Sequence, residues 1–229
     1  MCGRRQRESG DEGDEQDAHG PSIDWAPVPD ERDRPLLESD LDADPLAQLR
    51  AWRAEAEGIE GGDAVTLATA TRDGAPSARM VLLKDVDERG LTFYTGYESR
   101  KGRELDENPR AALVLYWHEL GRQVRVEGAV ERVPEEEADA YFASRPPGSR
   151  LSAAVSRQSE MIPGREELEQ AVAALRERVG EDVPRPATWG GYRLVPSYWE
   201  FWQHREDRLH DRFRYRPEDG NWIVERLAP

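Results

Sequence analysis

Several short stretches of the chain combine cations, hydroxyls and amides in a way that suits a flat, phosphorylated ligand. Ser99-Arg100-Lys101 stands where a helix would begin. A helix start offers free backbone N–H groups and the positive end of the peptide dipole, so two adjacent cations there make a good phosphate site. An ordinary capped surface helix would look the same. Tyr94-Thr95, at the end of the preceding strand, could turn a hydroxyl to the same anion. Tyr141-Phe-Ala-Ser-Arg145-Pro-Pro-Gly-Ser149 closes a helix in a Pro/Gly turn. Its Arg provides a fork of donors and its Tyr and Ser add hydroxyls, which fits a second phosphate. Glu200-Phe-Trp-Gln203, followed by Arg208-Leu-His-Asp-Arg212, sets two Arg, a His and an Asp behind a Trp-rich strand. That arrangement suits a flat anionic ligand or a structural ion-pair cluster. Gln123 and Gln158-Ser159 add amide and hydroxyl groups for the edge of a polar heterocycle.

Arg79-Met80-Val81-Leu82-Leu83-Lys84 places a cation at each end of an apolar strand. Their spacing sends Arg79 and Lys84 to opposite faces of a regular strand. A bulge or a second subunit must reconcile them if both serve one site; otherwise they are charged strand ends in solvent.

The elements that position these groups are mostly strands. Pro45 with Leu46, Leu49, Trp52 and Ala56 predicts an amphipathic helix that Gly58 to Gly62 ends. Ala64–Thr71, Ala78–Val86 and Leu91–Thr95 read as strands, the last two joined by an Asp87-Glu-Arg-Gly90 turn. Ser99 caps a short helix reaching Glu107, and Ala111–Trp117 and Gln123–Val130 are two further strands. Helices are predicted from Pro134 to Tyr141 and from Gly164 to Val179, the latter with Leu168, Val172, Leu175 and Val179 on one side. Two last strands surround Tyr198–Trp202 and Asn221–Arg226. Many short strands with few helices predict a mainly β fold, an antiparallel barrel with flanking helices. There is no Gly-x-Gly-x-x-Gly, Walker or Cys/His metal spacing, so no metal is expected.

The net charge of −15 is concentrated near the start: Glu8 to Asp44 holds fourteen acids against two arginines, a balance of −12. With three arginines before Glu8, the rest of the chain carries −15 + 12 − 3 = −6. Residues 1–40 therefore read as a disordered acidic tail, in which Trp25 and Leu36-Leu37 could dock, and 41–229 as one folded domain. The body can build local basic pockets, but nucleic-acid binding is not expected. No apolar run is long enough for a membrane span, and no signal peptide is seen. A lone Cys2 excludes an internal disulfide framework, which fits a cytoplasmic protein.

Taken in order, these segments resemble the pyridoxine/pyridoxamine 5′-phosphate oxidase family. The matching segments are Arg79–Lys84, Phe93-Tyr-Thr95, Ser99-Arg-Lys101, Arg122-Gln-Val124, Tyr141-Phe-x-Ser-Arg-Pro146 and Val155-Ser-x-Gln-Ser159. Trp189-Gly-Gly191, Phe201-Trp-Gln203, Arg208-Leu-His-Asp-Arg-Phe213 and the closing Glu225–Pro229 complete the series. Each is weak alone; together, over Asp40 to Pro229, they are specific.

The resemblance implies a Greek-key split barrel and a homodimer with FMN at the subunit interface. It implies FMN contacts at Arg79, Met80, Val81, Leu82, Leu83, Lys84, Tyr94, Thr95, Arg100, Lys101, Gln123, Gln158, Ser159, Trp202 and Arg212. Substrate contacts are implied at Lys84, Tyr141, Arg145, Ser149, Arg208 and His210, with Arg208 and His210 as the catalytic pair. The implied reaction oxidises pyridoxamine or pyridoxine 5′-phosphate to pyridoxal 5′-phosphate, with O2 reduced to H2O2. Other split-barrel enzymes, such as phenazine-biosynthesis oxidases or flavin and deazaflavin reductases, and a non-enzymatic flavin or pyridoxal-phosphate binder are the alternatives. One departure stands out: about Pro29 to Ser39 the chain lacks the Tyr and the basic character of the family's substrate-covering segment, for which Arg32 or Arg34 could substitute.

Overall fold

The computed structural model describes residues 33–229 of the chain. Helix α1 (Pro45–Glu55) begins as its sequence predicts, with Asp44 accepting the Leu46 amide hydrogen and Pro45 in the first turn. Its Leu46, Leu49 and Trp52 are buried.

Eight strands follow: β1 (Ala64–Ala70), β2 (Pro76–Asp87), β3 (Gly90–Gly96), β4 (Arg110–Trp117), β5 (Arg122–Arg132), β6 (Trp189–Gln203), β7 (Asp211–Glu218) and β8 (Asn221–Leu227). They pair antiparallel in the order β3-β2-β1-β4-β5-β6-β7-β8, and β3 also pairs with β6, closing a six-stranded barrel. The closure depends on the 15-residue length of β6. One stretch, Trp189–Leu194, runs along β3, while Trp199–Gln203 carries β7 and β8 outward. Val65, Leu67, Leu91, Phe93, Leu113, Val124, Val126 and Phe201 fill the interior and are fully buried. Each such side chain contributes roughly 1.5–3 kcal/mol. Trp52 closes one end with its ring edge on Phe201, centroids 5.1 Å apart.

Four more helices flank the barrel: α2 (Arg100–Glu107), α3 (Glu135–Ser144), α4 (Pro147–Val155) and α5 (Arg165–Val179). Three elements differ from the sequence reading. The Pro146-Pro147-Gly148 stretch, read as a turn, starts α4, because Pro147 occupies the first helical turn where no N–H is needed. The Arg208–Arg212 cluster, read as a ligand or ion-pair cluster with no strand following it, passes into β7, whose Phe213 and Tyr215 point into the core. The apolar stripe of α5 buries no residue; that helix packs on α4 outside the barrel.

Residues 33–40, expected within the tail, lie on the barrel. Leu36 is buried, its amide donates to Asp211 and its carbonyl accepts from Arg226. Asp33 pairs with Arg205 and accepts the Glu206 amide hydrogen. Trp25 and Arg32 lie outside the described residues. No described helix is long and apolar enough to cross a membrane.

Candidate active site

A cleft of about 260 Å³ lies where β2, β3 and α2 meet the α3–α4 connection. It gathers Met80, Val81, Leu82, Lys84, Tyr94, Thr95, Lys101, Tyr141, Arg145 and Gln158, all picked from the sequence, together with Trp189. Met80 and Leu82 stand 60% and 52% exposed, an apolar wall that a monomer leaves in water.

The outward residues Met80, Leu82 and Lys84 alternate with inward Arg79 and Leu83, so the opposite-face tension is real. A register shift between Leu83 and Asp85 marks a bulge at Lys84. Leu83 is only 1% exposed and belongs to the core, so its side chain does not face the cleft. Arg79 turns instead to β1 and α2, donating to Thr69 Oγ1 at 2.5 Å and Leu67 O at 3.2 Å and pairing with Glu104 at 3.3 Å.

Beside it lies the predicted helix start. Ser99 caps α2, accepting from the Gly102 amide at 3.3 Å. Lys101 Nζ donates to Thr95 Oγ1 at 3.0 Å and Ser99 Oγ at 3.2 Å, with Gln158 Oε1 at 3.4 Å. Among the described residues no carboxylate pairs with Lys101, and burial, then the charge of Arg79, pull its pKa below the usual lysine value. The Arg100 amide donates to Ser159 Oγ at 3.1 Å. Ser159 has φ 72°, a left-handed conformation that is costly for serine and recurs at binding sites. Arg79, Arg100 and Lys101 against the single carboxylate Glu104 leave 3 − 1 = 2 positive charges. A phosphate monoester, at about −1.5 to −2, matches that surplus.

The far wall is aromatic. Tyr94 stacks on Tyr141 with centroids 3.9 Å apart, Trp189 stacks behind both, and the Arg145 guanidinium lies 4.7 Å from the Trp189 ring. Burial raises the Tyr94 phenol to about 12, so it stays a neutral donor. Burial lowers the Arg145 pKa, and its buried Nη1 has no hydrogen-bond partner among the described residues. The neighbouring strand must be glycine: a Cβ on Gly191 would sit 2.7 Å from a Tyr94 ring carbon, and one on Gly190 would strike Tyr97.

A second group lies apart from this cleft. Gln123, Trp202 and Arg212 form one row across β5, β6 and β7. Arg212 donates to the buried Glu200 at 2.9 Å, which also holds Arg125 and the Tyr198 hydroxyl. His210 leans on Trp202 with ring centroids 4.5 Å apart, and exposed Arg208 stands in a turn at φ 61°. Neither Ser149, in the first turn of α4, nor any of this group lines the cleft. Among the described residues no cluster could hold a metal ion.

Residues 52–178 match the protein family described as Pyridoxamine 5′-phosphate oxidase, more than half of the chain. The chain belongs to this family. Residues 189–229, which include Trp202, Arg208, His210 and Arg212, match its Pyridoxine 5′-phosphate oxidase C-terminal dimerisation region. A pyridoxine/pyridoxamine 5′-phosphate oxidase of Cupriavidus pinatubonensis is 57% identical over 85% of this chain and 93% of its own length. That of Thermosynechococcus vestitus is 53% identical over 87% and 96%. Among solved structures, PhzG from Burkholderia lata 383, in complex with tetrahydrophenazine-1-carboxylic acid, superimposes with TM-score 0.81 at 36% identity. It covers 86% of this chain and 100% of its own. A pyridoxamine 5′-phosphate oxidase-related, FMN binding protein from Nostoc punctiforme shares the fold, with TM-score 0.67 at 17% identity, over 82% of this chain and 100% of its own.

Sequence reasoning missed two residues of this site. Trp189 was part of a family motif without a role, and Glu104 had only its i,i+4 spacing from Arg100 to mark it.

Proposed function

We propose that this chain is an FMN-dependent oxidase that converts pyridoxamine 5′-phosphate and pyridoxine 5′-phosphate to pyridoxal 5′-phosphate. The observation that carries this reading is one cleft lined by two phosphate-suited groups, Lys101 with its neighbours and Lys84 with Tyr141 and Arg145. A flavin phosphate fits the surplus charge of Arg79, Arg100 and Lys101, and Met80 to Leu82 offer an apolar wall for its ring. Thr95, Gln158 and Ser159 supply the remaining polar contacts.

When bound, FMN supplies the two-electron acceptor for a hydride from the substrate carbon bearing the amine or alcohol, and O2 takes those electrons and two protons to become H2O2. The amine route also consumes a water and releases ammonia. The protein's own residues bind and orient: Lys84, Tyr141, Arg145 and Ser149 hold the substrate phosphate, while Arg208 and His210 orient the reacting substituent. No side chain acts as a nucleophile. Positioning of this kind is worth roughly 7–11 kcal/mol of barrier.

The active unit in this reading is a homodimer. At about 260 Å³ the cleft is smaller than the ~300–1,000 Å³ usual for cofactor-sized sites. The row of Gln123, Trp202 and Arg212, with Arg208 and His210, reaches it from the second copy. The match of residues 189–229 to a dimerisation region supports this.

The likeness to PhzG favours one second reading, oxidation of a reduced tricyclic carboxylate. Aerobic turnover with FMN separates them. The proposal expects pyridoxal 5′-phosphate and peroxide to form together, with turnover lost and FMN retained in Arg208→Ala. Oxidation of a reduced phenazine carboxylate, with neither phosphorylated pyridine consumed, would establish the second reading instead.

A further inference from the structure

Beneath the phosphate-suited helix start lies Glu104, a buried carboxylate with no assigned role. Its two oxygens are used differently. Oε1 accepts from Arg100 Nε at 2.8 Å. Oε2 accepts from Ser77 Oγ at 2.6 Å, from Thr69 Oγ1 and, at 3.3 Å, from Arg79 Nη2. One carboxylate thus binds both guanidiniums from behind, with two hydroxyls fixing its own orientation.

The consequence is clearest at Arg100. Its side chain is 60% exposed and, without a tether, would sample many rotamers in water. Glu104 takes only Nε, and among the described residues neither Nη group of Arg100 has a hydrogen-bond partner. Arg79, held by Glu104, Thr69 and Leu67, adds fixed positive charge beside Lys101.

We infer that Glu104 is a positioning residue for the cofactor's phosphate, setting the guanidiniums of Arg79 and Arg100 before the anion arrives. This rests on the proposed FMN reading. Preorganisation of this sort strengthens binding by removing the ordering cost of the donors. The inference makes a distinction that a purely structural role does not: Glu104 should matter to a ligand in proportion to its phosphate. FMN and riboflavin share the ring and differ in that phosphate. A carboxylate is also required, because the amide of glutamine would turn an N–H₂ toward one of its donors.

The test is the dissociation constant of FMN and of riboflavin, measured by flavin fluorescence on the flavin-stripped full chain. Glu104→Gln should weaken FMN about tenfold or more, the size of one lost charge-assisted hydrogen bond, and leave riboflavin unchanged. Equal losses for both flavins, no loss for FMN, or tighter FMN binding would each overturn the inference. If Glu104→Gln does not fold, Glu104→Asp keeps the charge but withdraws it by one methylene. A fall in FMN-over-riboflavin preference in that variant supports the inference, and an unchanged preference overturns it. A wild-type chain that binds neither flavin, or both equally, would instead overturn the cofactor reading beneath it.

Discussion

The backbone N–H of Arg205 donates to Nδ1 of His210 at 3.1 Å, so the neutral imidazole carries its proton on Nε2. Burial first, then the nearby His204, Arg208 and Arg212, hold the His210 pKa below its usual 6.5. The folded state therefore binds this proton less readily than the unfolded chain. The stability contributed is present above the unfolded pKa and declines as pH falls below it. We expect kcat/KM for pyridoxamine 5′-phosphate to hold to below the usual imidazole range and then drop, as protonation breaks the Arg205 contact. His204→Asn removes one cause of the depression, so the acid limb of its pH–rate profile should move to higher pH. An unmoved limb would separate His210 from that limb.

Arg145 has a buried Nη1 without a partner among the described residues and an aromatic bed on Trp189 and Phe142. Such a group is poised for an anion. Arg145→Ala should lower kcat/KM for the phosphorylated substrate about 10–100-fold, mainly through KM, the equivalent of a charge-assisted hydrogen bond. Arg145→Lys should recover little, since a point charge replaces a planar fork. Steady-state kinetics on the three proteins decide it.

Gly191→Ala tests the aromatic wall. The added Cβ would lie 2.6 Å from Val133 Cγ2 and 2.7 Å from Tyr94, so β6 or the Tyr94–Tyr141 stack must shift. Overpacking of this kind costs about 1–3 kcal/mol. Thermal unfolding should show a lower Tm, with flavin affinity reduced in the same variant. An unchanged Tm would show that the wall is more yielding than its geometry indicates.

These predictions depend on features the sequence revealed unevenly. β1 and β5 were readable because apolar residues alternate along them, β2 as an apolar run between two cations, and α2 because Ser99 caps its start. β7 alternates as well, with Phe213 and Tyr215 inward and Arg212, Arg214 and Arg216 outward. Arg212, with Arg208 and His210 just before it, read as a ligand group and hid the strand. In α5, the helical stripe was real but addressed α4 rather than the barrel, a choice that periodicity does not encode. The cleft residues came from local motifs. Leu83, expected among the cofactor contacts, turns its side chain into the core, because a run of apolar residues does not show which alternate side chains face inward. Glu104 joins residues 25 and 35 positions away, contacts that only the closed barrel creates.

The strap at residues 33–40 offers a stability test. Leu36 fills an apolar seat, while its backbone bridges Asp211 and Arg226 on β7 and β8. Leu36→Ala should cost about 2 kcal/mol or more locally. Faster hydrogen exchange should appear at residues 205–211, with the exchange of β1 to β5 unchanged. A uniform increase across the barrel would mean that the strap supports the whole fold instead.

The proposed sharing of one active site between two copies is tested most directly by subunit complementation. Arg145→Ala removes a cleft residue and Arg208→Ala a residue of the second group, and at substrate well below KM each homodimer should retain little activity. Mixed in equal amounts under conditions that exchange subunits, half of the dimers become hybrids, and each hybrid holds one intact site of two. Activity should return to about one quarter of the wild-type value. Verified subunit exchange without recovered activity would contradict a site built from both copies.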